Sequence, residues 1–447
     1  VQNKTPVRNG KEFVLKKAKD LNVKFIRLWF SDILGLLKSF AITIDELEDT
    51  LNEGKFFDGS SIEGFARASE ADMRAFPDPT TFQVLPWRPK ENAVARMFAE
   101  VTDAEGRPFS GDPRQCLKRQ LKKAADLGFT FYVGPEIEFF YFENAEGTKP
   151  LDKGGYFDLT PLDAGSDLRR ETVLMLEEMG IGVQSSHHEV APSQHEIGLR
   201  YTDALTMADN ATTYRLVVKE IALKNGFYAT FMPKPAKDLC GSGMHVHQSL
   251  FKGDQNAFYD KNDPYHLSKT AKHYIAGLLK YAPEICIVTN QWVNSYKRLI
   301  PGYEAPLHVS WARCNPQALV RVPSTKPGRP NATRVELRSP DAACNPYLAF
   351  SVMLAAGLEG IKKEYKLPEA LEGDLNKMTD AEKQKRGVST LPSSLGEAIK
   401  LAEGSSFLRQ ALGDHIYQSL IENKKIEWRD YCAEVTGYER DKYLPVL

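Results

Sequence analysis

Six cysteines, at 116, 240, 286, 314, 344 and 432, are spread through 447 residues without a single CxxC pair. That spacing argues against a zinc ribbon or a disulfide framework and points to a reducing cytoplasm. Long apolar runs are missing, and the opening VQNKTPVRNG is polar, so neither a membrane span nor a signal peptide is expected. Charge of one sign is missing too. The 58 basic and 59 acidic residues leave a net charge of −1, which gives no global field to draw the chain to nucleic acid or a membrane. There is no GxxxxGK[ST] and no GxGxxG, so any nucleotide must be held without a P-loop or a Rossmann turn. Internal repeats and low-complexity tracts are absent as well. What remains is 42% hydrophobic and 26% charged, the balance of a globular protein expected in the cytoplasm.

One seam is visible. VKFIRLWFSDILGLLKSFAI (23–42) reads as a hairpin turning around Ser31, Asp32 and Gly35. DAEGRPFSGDP (103–113) is rich in turn formers, and beyond it Leu117, Leu121, Ala124 and Ala125 recur at helix-face spacing. Asp112 is a suitable N-cap and Pro113 suits the first turn. These signals predict a small domain over 1–108 and a large one over 109–447. Strands and helices alternate irregularly in the latter, without clean βαβ units. From 362 onward the pattern is charged and helical, which predicts solvated surface and a terminal packing element.

GPEIEFFYF (134–142) reads as a buried strand, yet Glu136 and Glu138 sit two apart and so share a face. Unpaired, such burial costs several kcal/mol. HHEVAPSQHEI (187–197) supplies Glu189 and Glu196 beside three histidines, and GSGMHVHQS (241–249) places His245 and His247 two apart. RVELR (334–338) puts Arg334, Glu336 and Arg338 on one face. Each motif by itself describes a solvated strand face or a salt-bridge ladder. Together they predict inward-pointing charges in a curved sheet, forming a polar funnel. Glutamates with one or two imidazoles and no thiolate suit Mg2+ or Mn2+ better than zinc. Two such ions beside arginines form a kit for phosphoryl transfer.

FFDGSSIEGF (56–65), GPEIEFFYF, GGYFDLTP (154–161), HHEVAPSQHEI, GSGMHVHQS, KRLIPGYEAP (297–306) and RVELRSPD (334–341) occur in an order and spacing that resembles the type I glutamine synthetases along nearly the whole chain. The resemblance implies an α+β fold: a small N-terminal β-grasp-like domain, and a large C-terminal domain whose curved antiparallel sheet forms a funnel-shaped active site. It implies two stacked hexamers with each active site between neighbouring subunits. By position, Glu138, Glu189 and Glu196 match the ligands of one metal, and Glu136, His245 and Glu336 those of a second. Two or more Mg2+ or Mn2+ ions per site are implied, with ATP as a substrate. Gly241, Arg298, Glu304 and Arg338 match the glutamate site. Tyr201, His247, Ser249, Arg321 and Arg334 match nucleotide contacts. Asp58, from the adjacent subunit, Tyr156 and the flap residue Glu304 match the ammonium side, and Arg67 matches an arginine that some relatives use in feedback by glutamine.

The implied reaction is ligation of ammonia to L-glutamate through a γ-glutamyl phosphate. Three positions depart from the pattern: Gln184 for a glutamate, Cys240 for an asparagine and Pro316 for an arginine, with Arg313 a nearby substitute for the last. Asn376 stands where an adenylylated tyrosine is expected, which argues against that control. Two alternatives stand beside this reading: a γ-glutamyl ligase using an organic amine, which should show a changed ammonium pocket where this chain does not, and a ring-forming homologue with impaired catalysis, which the three departures keep open.

Overall fold

A computed structural model describes residues 10–64, 72–147, 149–326, 328–373 and 375–447. Arg67 lies outside these residues, as does the side chain of Asn376.

The predicted hairpin forms as Val23–Ser31 and Leu37–Thr43, paired antiparallel. It is one edge of a six-stranded sheet, continued by Ala93–Asp103, Asp72–Pro77 and Lys55–Asp58. Val23–Ser31 runs parallel to Ala93–Asp103, while the other pairs of this path are antiparallel. Alternation in Val23–Ser31 sends Ile26 and Leu28 into a local core with Val14 and Ala18 of helix Gly10–Asp20 and Leu47 and Leu51 of helix Leu47–Glu53. Trp29 points the other way and joins the main core.

Asp112 caps helix Pro113–Asp126 as expected, its Oδ1 accepting the N–H of Arg114 at 2.8 Å. Its Oδ2 accepts the N–H of Val101 at 3.0 Å, which ties the helix to the small sheet. Arg114 then bridges both parts of the chain, pairing with Asp78 at 2.8 Å, Glu100 at 3.2 Å and Asp209 at 3.0 Å.

The second sheet has ten strands. Its main path runs Trp311–Ala312, Val320–Arg321, Val335–Leu337, Met244–Lys252, Thr130–Phe142, Gln194–Leu199 and Val183–His188. All neighbours on that path are antiparallel except the first two strands. Helices Pro113–Asp126, Ala204–Lys224, Lys269–Thr289 and Pro346–Lys362 contribute to the large core on which it rests. The last part of the chain is helical, but it is more than surface. Leu395, Ile399, Leu408, Leu412, Ile416 and Leu420 are buried in the main core, because their apolar spacing gives one inward stripe among many charges. None of the described helices is long and apolar enough to cross a membrane.

Candidate active site

Antiparallel register turns the charges of separate segments into cross-strand rows. Glu136 lies opposite His245 on one side and Gly198 on the other. Glu138 is opposite Glu196, which is opposite His187. Glu336 is opposite both His247 and Arg321. Directly opposed residues share a face, so all of these side chains rise from one side of the sheet.

Two groups of potential metal ligands result, each with donor atoms within 4.8 Å of one another: Glu136, His245 and Glu336, and His187, Glu189 and Glu196. In the first, His245 Nδ1 lies 3.9 Å from Glu136 and 3.7 Å from Glu336, near but not bonded. In the second, His187 lies 3.3 Å from Glu196 and 3.6 Å from Glu189. Glu138 stands between the groups. One oxygen accepts the Gly243 N–H at 2.7 Å and the Gln194 amide at 3.1 Å, and the other is 3.9 Å from His245 Nε2. His187 thus joins a group that the sequence reading limited to three glutamates.

Glu336 is held by Arg321 at 3.0 Å and Arg338 at 2.5 Å. Arg334 Nε donates to His247 Nδ1 at 3.3 Å, so the imidazole proton sits on Nε2 and is donated to Glu136 at 3.0 Å.

Electrostatics shows how crowded this face is. Burial, then repulsion from Glu196, pushes Glu138 up to about 7. Burial, then Glu138 and Glu196, pushes Glu189 up to about 8. Burial opposes the charged form of His187, but its bond to Glu196 prevails and raises it to about 9. Carboxylates forced toward protonation by one another are relieved by a cation, and an oxygen-rich set with imidazole and no thiolate fits Mg2+ or Mn2+.

These residues line a cavity of about 700 Å3, together with Tyr156, Cys240, Gly241, Arg298, Glu304, Arg321 and Arg338. Gly241 is packed so closely that an added Cβ would meet Pro233 O at 2.3 Å and Arg298 Cγ at 2.7 Å. Arg298 is buried, donating to the carbonyls of Ser339 at 2.7 Å and Arg338 at 3.2 Å. Glu304 is exposed at the rim, in left-handed backbone with φ 58°.

A second cavity of about 180 Å3 holds Tyr201, His247, Ser249 and Arg334, with Tyr132 and Gln184. Glu136 lines both cavities. A third, of about 270 Å3, shares Glu304 and Arg338 with the first and is lined by Pro316 and Gln317. Each departure therefore falls in a different cavity: Cys240 in the first, Gln184 in the second and Pro316 in the third. Arg313 lines none of the three, and its backbone N–H is bound to Glu372. It gives no sign of replacing the missing arginine.

Asp58 is the predicted site residue that the fold keeps apart. It ends the edge strand Lys55–Asp58 of the small sheet, exposed, accepting the Ser60 N–H at 2.8 Å. Two neighbours of the funnel escaped the sequence reading. Gln194 fixes Glu138, and Phe157 stacks on Tyr156 at 4.0 Å and meets His187 edge-on at 4.9 Å. The HHE triplet was the available signal for His187, since side chains two apart in an extended segment share a face, although the strand itself ends at His188.

Two-sheet α+β architecture and a funnel of carboxylate, imidazole and arginine side chains define a scaffold able to hold divalent ions beside an anionic substrate, and comparison with known proteins makes the class specific. Residues 22–104 match the family model described as glutamine synthetase, beta-Grasp domain, and residues 110–443 match glutamine synthetase, catalytic domain. The glutamine synthetase of Mycolicibacterium smegmatis is 52% identical over 440 residues, 97% of this chain and 99% of that protein. That of Methanosarcina mazei is 50% identical, covering 98% of each. A solved structure described as a GmaS/ADP complex has a TM-score of 0.88 at 32% identity, covering 97% of this chain and 99% of that one. The chain belongs to the glutamine synthetase family. That membership supports ATP-dependent formation of glutamine, and an organic-amine ligase is not favoured.

Proposed function

We propose that this chain joins ammonia to the side-chain carboxylate of L-glutamate through a γ-glutamyl phosphate, with the funnel residues in defined roles. Glu138, Glu189 and Glu196, with His187, form one divalent-ion position, and Glu136, His245 and Glu336 form the other. These residues would hold Mg2+ or Mn2+, whose positive charge would offset that of the phosphates during transfer. ATP occupies the smaller cavity against Tyr201, His247, Ser249 and Arg334, its phosphates directed toward Arg321. Gly241, Arg298 and Arg338 hold glutamate. Tyr156 and Glu304 border the ammonium subsite, where Glu304 accepts the proton that ammonium releases before attack on the acyl phosphate. A strained rim residue suits a flap that shields this intermediate from water.

Asp58 acts in the site of a neighbouring copy, in a dodecamer of two stacked hexamers whose chains divide near residues 108 and 109. Exposed Phe56 beside Asp58, and exposed Tyr156 and Phe157 at the cavity mouth, are apolar surfaces that such an assembly covers. The compartment that fits the cysteine pattern is the cytoplasm. The observation that carries the reading is Glu136, a wall common to the acidic cavity and the smaller one. A γ-phosphate reaching past it would enter the cavity that Glu138, Glu189 and Glu196 share with Arg321 and Arg338.

The direct test is to follow glutamine and phosphate with ATP, Mg2+ or Mn2+ and glutamate, offering ammonium, methylamine or a polyamine. Glutamine made with ammonium, in step with phosphate release, is the expected result. Preferential turnover of another amine would transfer the assignment to an amide ligase. No turnover from an assembled, metal-binding protein would mark an impaired homologue.

A further inference from the structure

Behind the acidic hairpin lies a third cluster, Asp152, His188 and His195, all three buried. Its spacing resembles a metal site, but its donor atoms other than His195 Nε2, which is buried without a partner among the described residues, are already bonded within the protein. His188 Nδ1 lies 2.7 Å from the Glu189 carbonyl and Nε2 lies 3.0 Å from Asp152 Oδ1. His195 Nδ1 is 2.7 Å from Arg169, whose guanidinium also forks Asp163 at 2.9 and 2.6 Å.

Asp152 is the hub. Its Oδ1 also accepts the N–H of Ser193 at 2.8 Å and of Gly154 at 3.3 Å, and its Oδ2 accepts the N–H of Ala164 at 3.1 Å. The Asp152 N–H donates back to Ser193 Oγ at 2.9 Å. One carboxylate therefore pins both ends of the 154–164 loop to the hairpin that runs from Glu189 to Glu196. The loop carries Tyr156 and Phe157 to the cavity, and the Phe157 N–H reaches His188 O at 3.2 Å. Both pinned segments contain left-handed residues without being glycine: Phe157 at φ 64° and Ser193 at φ 61°. Such backbone persists only where surrounding bonds over-determine it.

Resting on the function proposed above, we infer that Asp152 is a positioning residue. It sets the aromatic wall against the acidic hairpin, and through them it tunes divalent-ion and ammonium binding. Partners bonded directly to a ligand commonly shift metal affinity 10- to 100-fold, and Asp152, which reaches Glu189 only through His188, belongs at the lower end of that range.

Asp152→Asn keeps the volume but places an NH2 group among N–H donors, so at least one arm must release. Mn2+ binding to the substrate-free protein, read by electron paramagnetic resonance, is expected to weaken about tenfold at one class of site. The KM for ammonium is expected to rise about tenfold, while that for ATP moves less than about twofold. Ser193→Gly, which keeps the left-handed backbone but loses the hydroxyl, should shift both in the same direction by less.

Asp209→Asn removes a buried carboxylate from the Arg114 network. It should lower Tm without moving either binding value. Wild-type Mn2+ and ammonium binding in Asp152→Asn would overturn the inference, as would an equal rise in the KM for ATP. If that variant does not assemble, unchanged Mn2+ binding in Ser193→Gly overturns it. Should the wild type make no glutamine, the proposed function fails by itself, and the Mn2+ titration still decides the positioning role.

Discussion

Glu189 and Glu138, raised to about 8 and about 7 from an ordinary 4.5, bind more protons folded than unfolded. Without metal they favour folding most below the unfolded value, and that advantage is lost as pH rises through 7 and 8. His187, raised to about 9 from 6.5, has the same sign: its stabilisation is complete below 6.5 and lost as pH rises through 9. The Tm of chelator-treated protein should therefore fall between pH 5.5 and 9 by several degrees, with the steepest loss between about pH 6 and 7.5, where all three groups hold more protons folded than unfolded. Saturating Mn2+ should flatten or reverse that slope, because a cation binds the deprotonated ligands. A chelated protein with level Tm across this range would show that the glutamates are not crowded as described. Phe157 offers a second residue-scale test, since its ring backs Tyr156 at the cavity mouth. Phe157→Ala is expected to narrow the preference for ammonium over methylamine about tenfold, measured as the ratio of kcat/KM values, because about one aromatic ring of steric exclusion is lost.

At the level of elements, periodicity carried the sequence reading where a strand writes its facing directly into the chain. Glu136 with Glu138, and His245 with His247, were legible because every second side chain shares a face. The partners across the ladder were not legible. Nothing local to Glu138 reveals that the Gly243 N–H will bind it, since the two are 105 positions apart. His187 was missed because its role depends on register with Glu196. A terminal packing element was legible from 362 onward, but which of its residues form the buried stripe was masked by their charged majority. Asp112, in contrast, was readable because a cap depends only on its own next few residues.

The same close packing makes Gly243 a sharp probe of the element that carries His245. An added Cβ there would meet Arg298 Nη2 at 2.5 Å and His245 Nε2 at 3.1 Å. Gly243→Ala should cost about 1–3 kcal/mol of stability by overpacking. It should also raise the KM for glutamate at least about tenfold, through displacement of Arg298. Urea unfolding and steady-state kinetics check the two parts separately. Unchanged glutamate affinity would mean that Arg298 is free to move aside.

For the whole molecule, the decisive fact is that one chain holds Asp58 on its small sheet and Glu304 on the rim of the large cavity. If each site borrows Asp58 from a neighbour, Asp58→Asn and Glu304→Gln damage different halves of every composite site. Either variant assembled alone should lose nearly all glutamine formation. Co-assembled in equal amounts, they place an intact Asp58 beside an intact Glu304 at about one site in four, since each half is drawn independently from a symmetric ring. Activity should then return to roughly a quarter of the wild-type value. Were Asp58 to serve the cavity of its own chain, no mixed pairing could unite the intact residues and no activity would return. Mass spectrometry of the intact assemblies separates that outcome from a simple failure to mix.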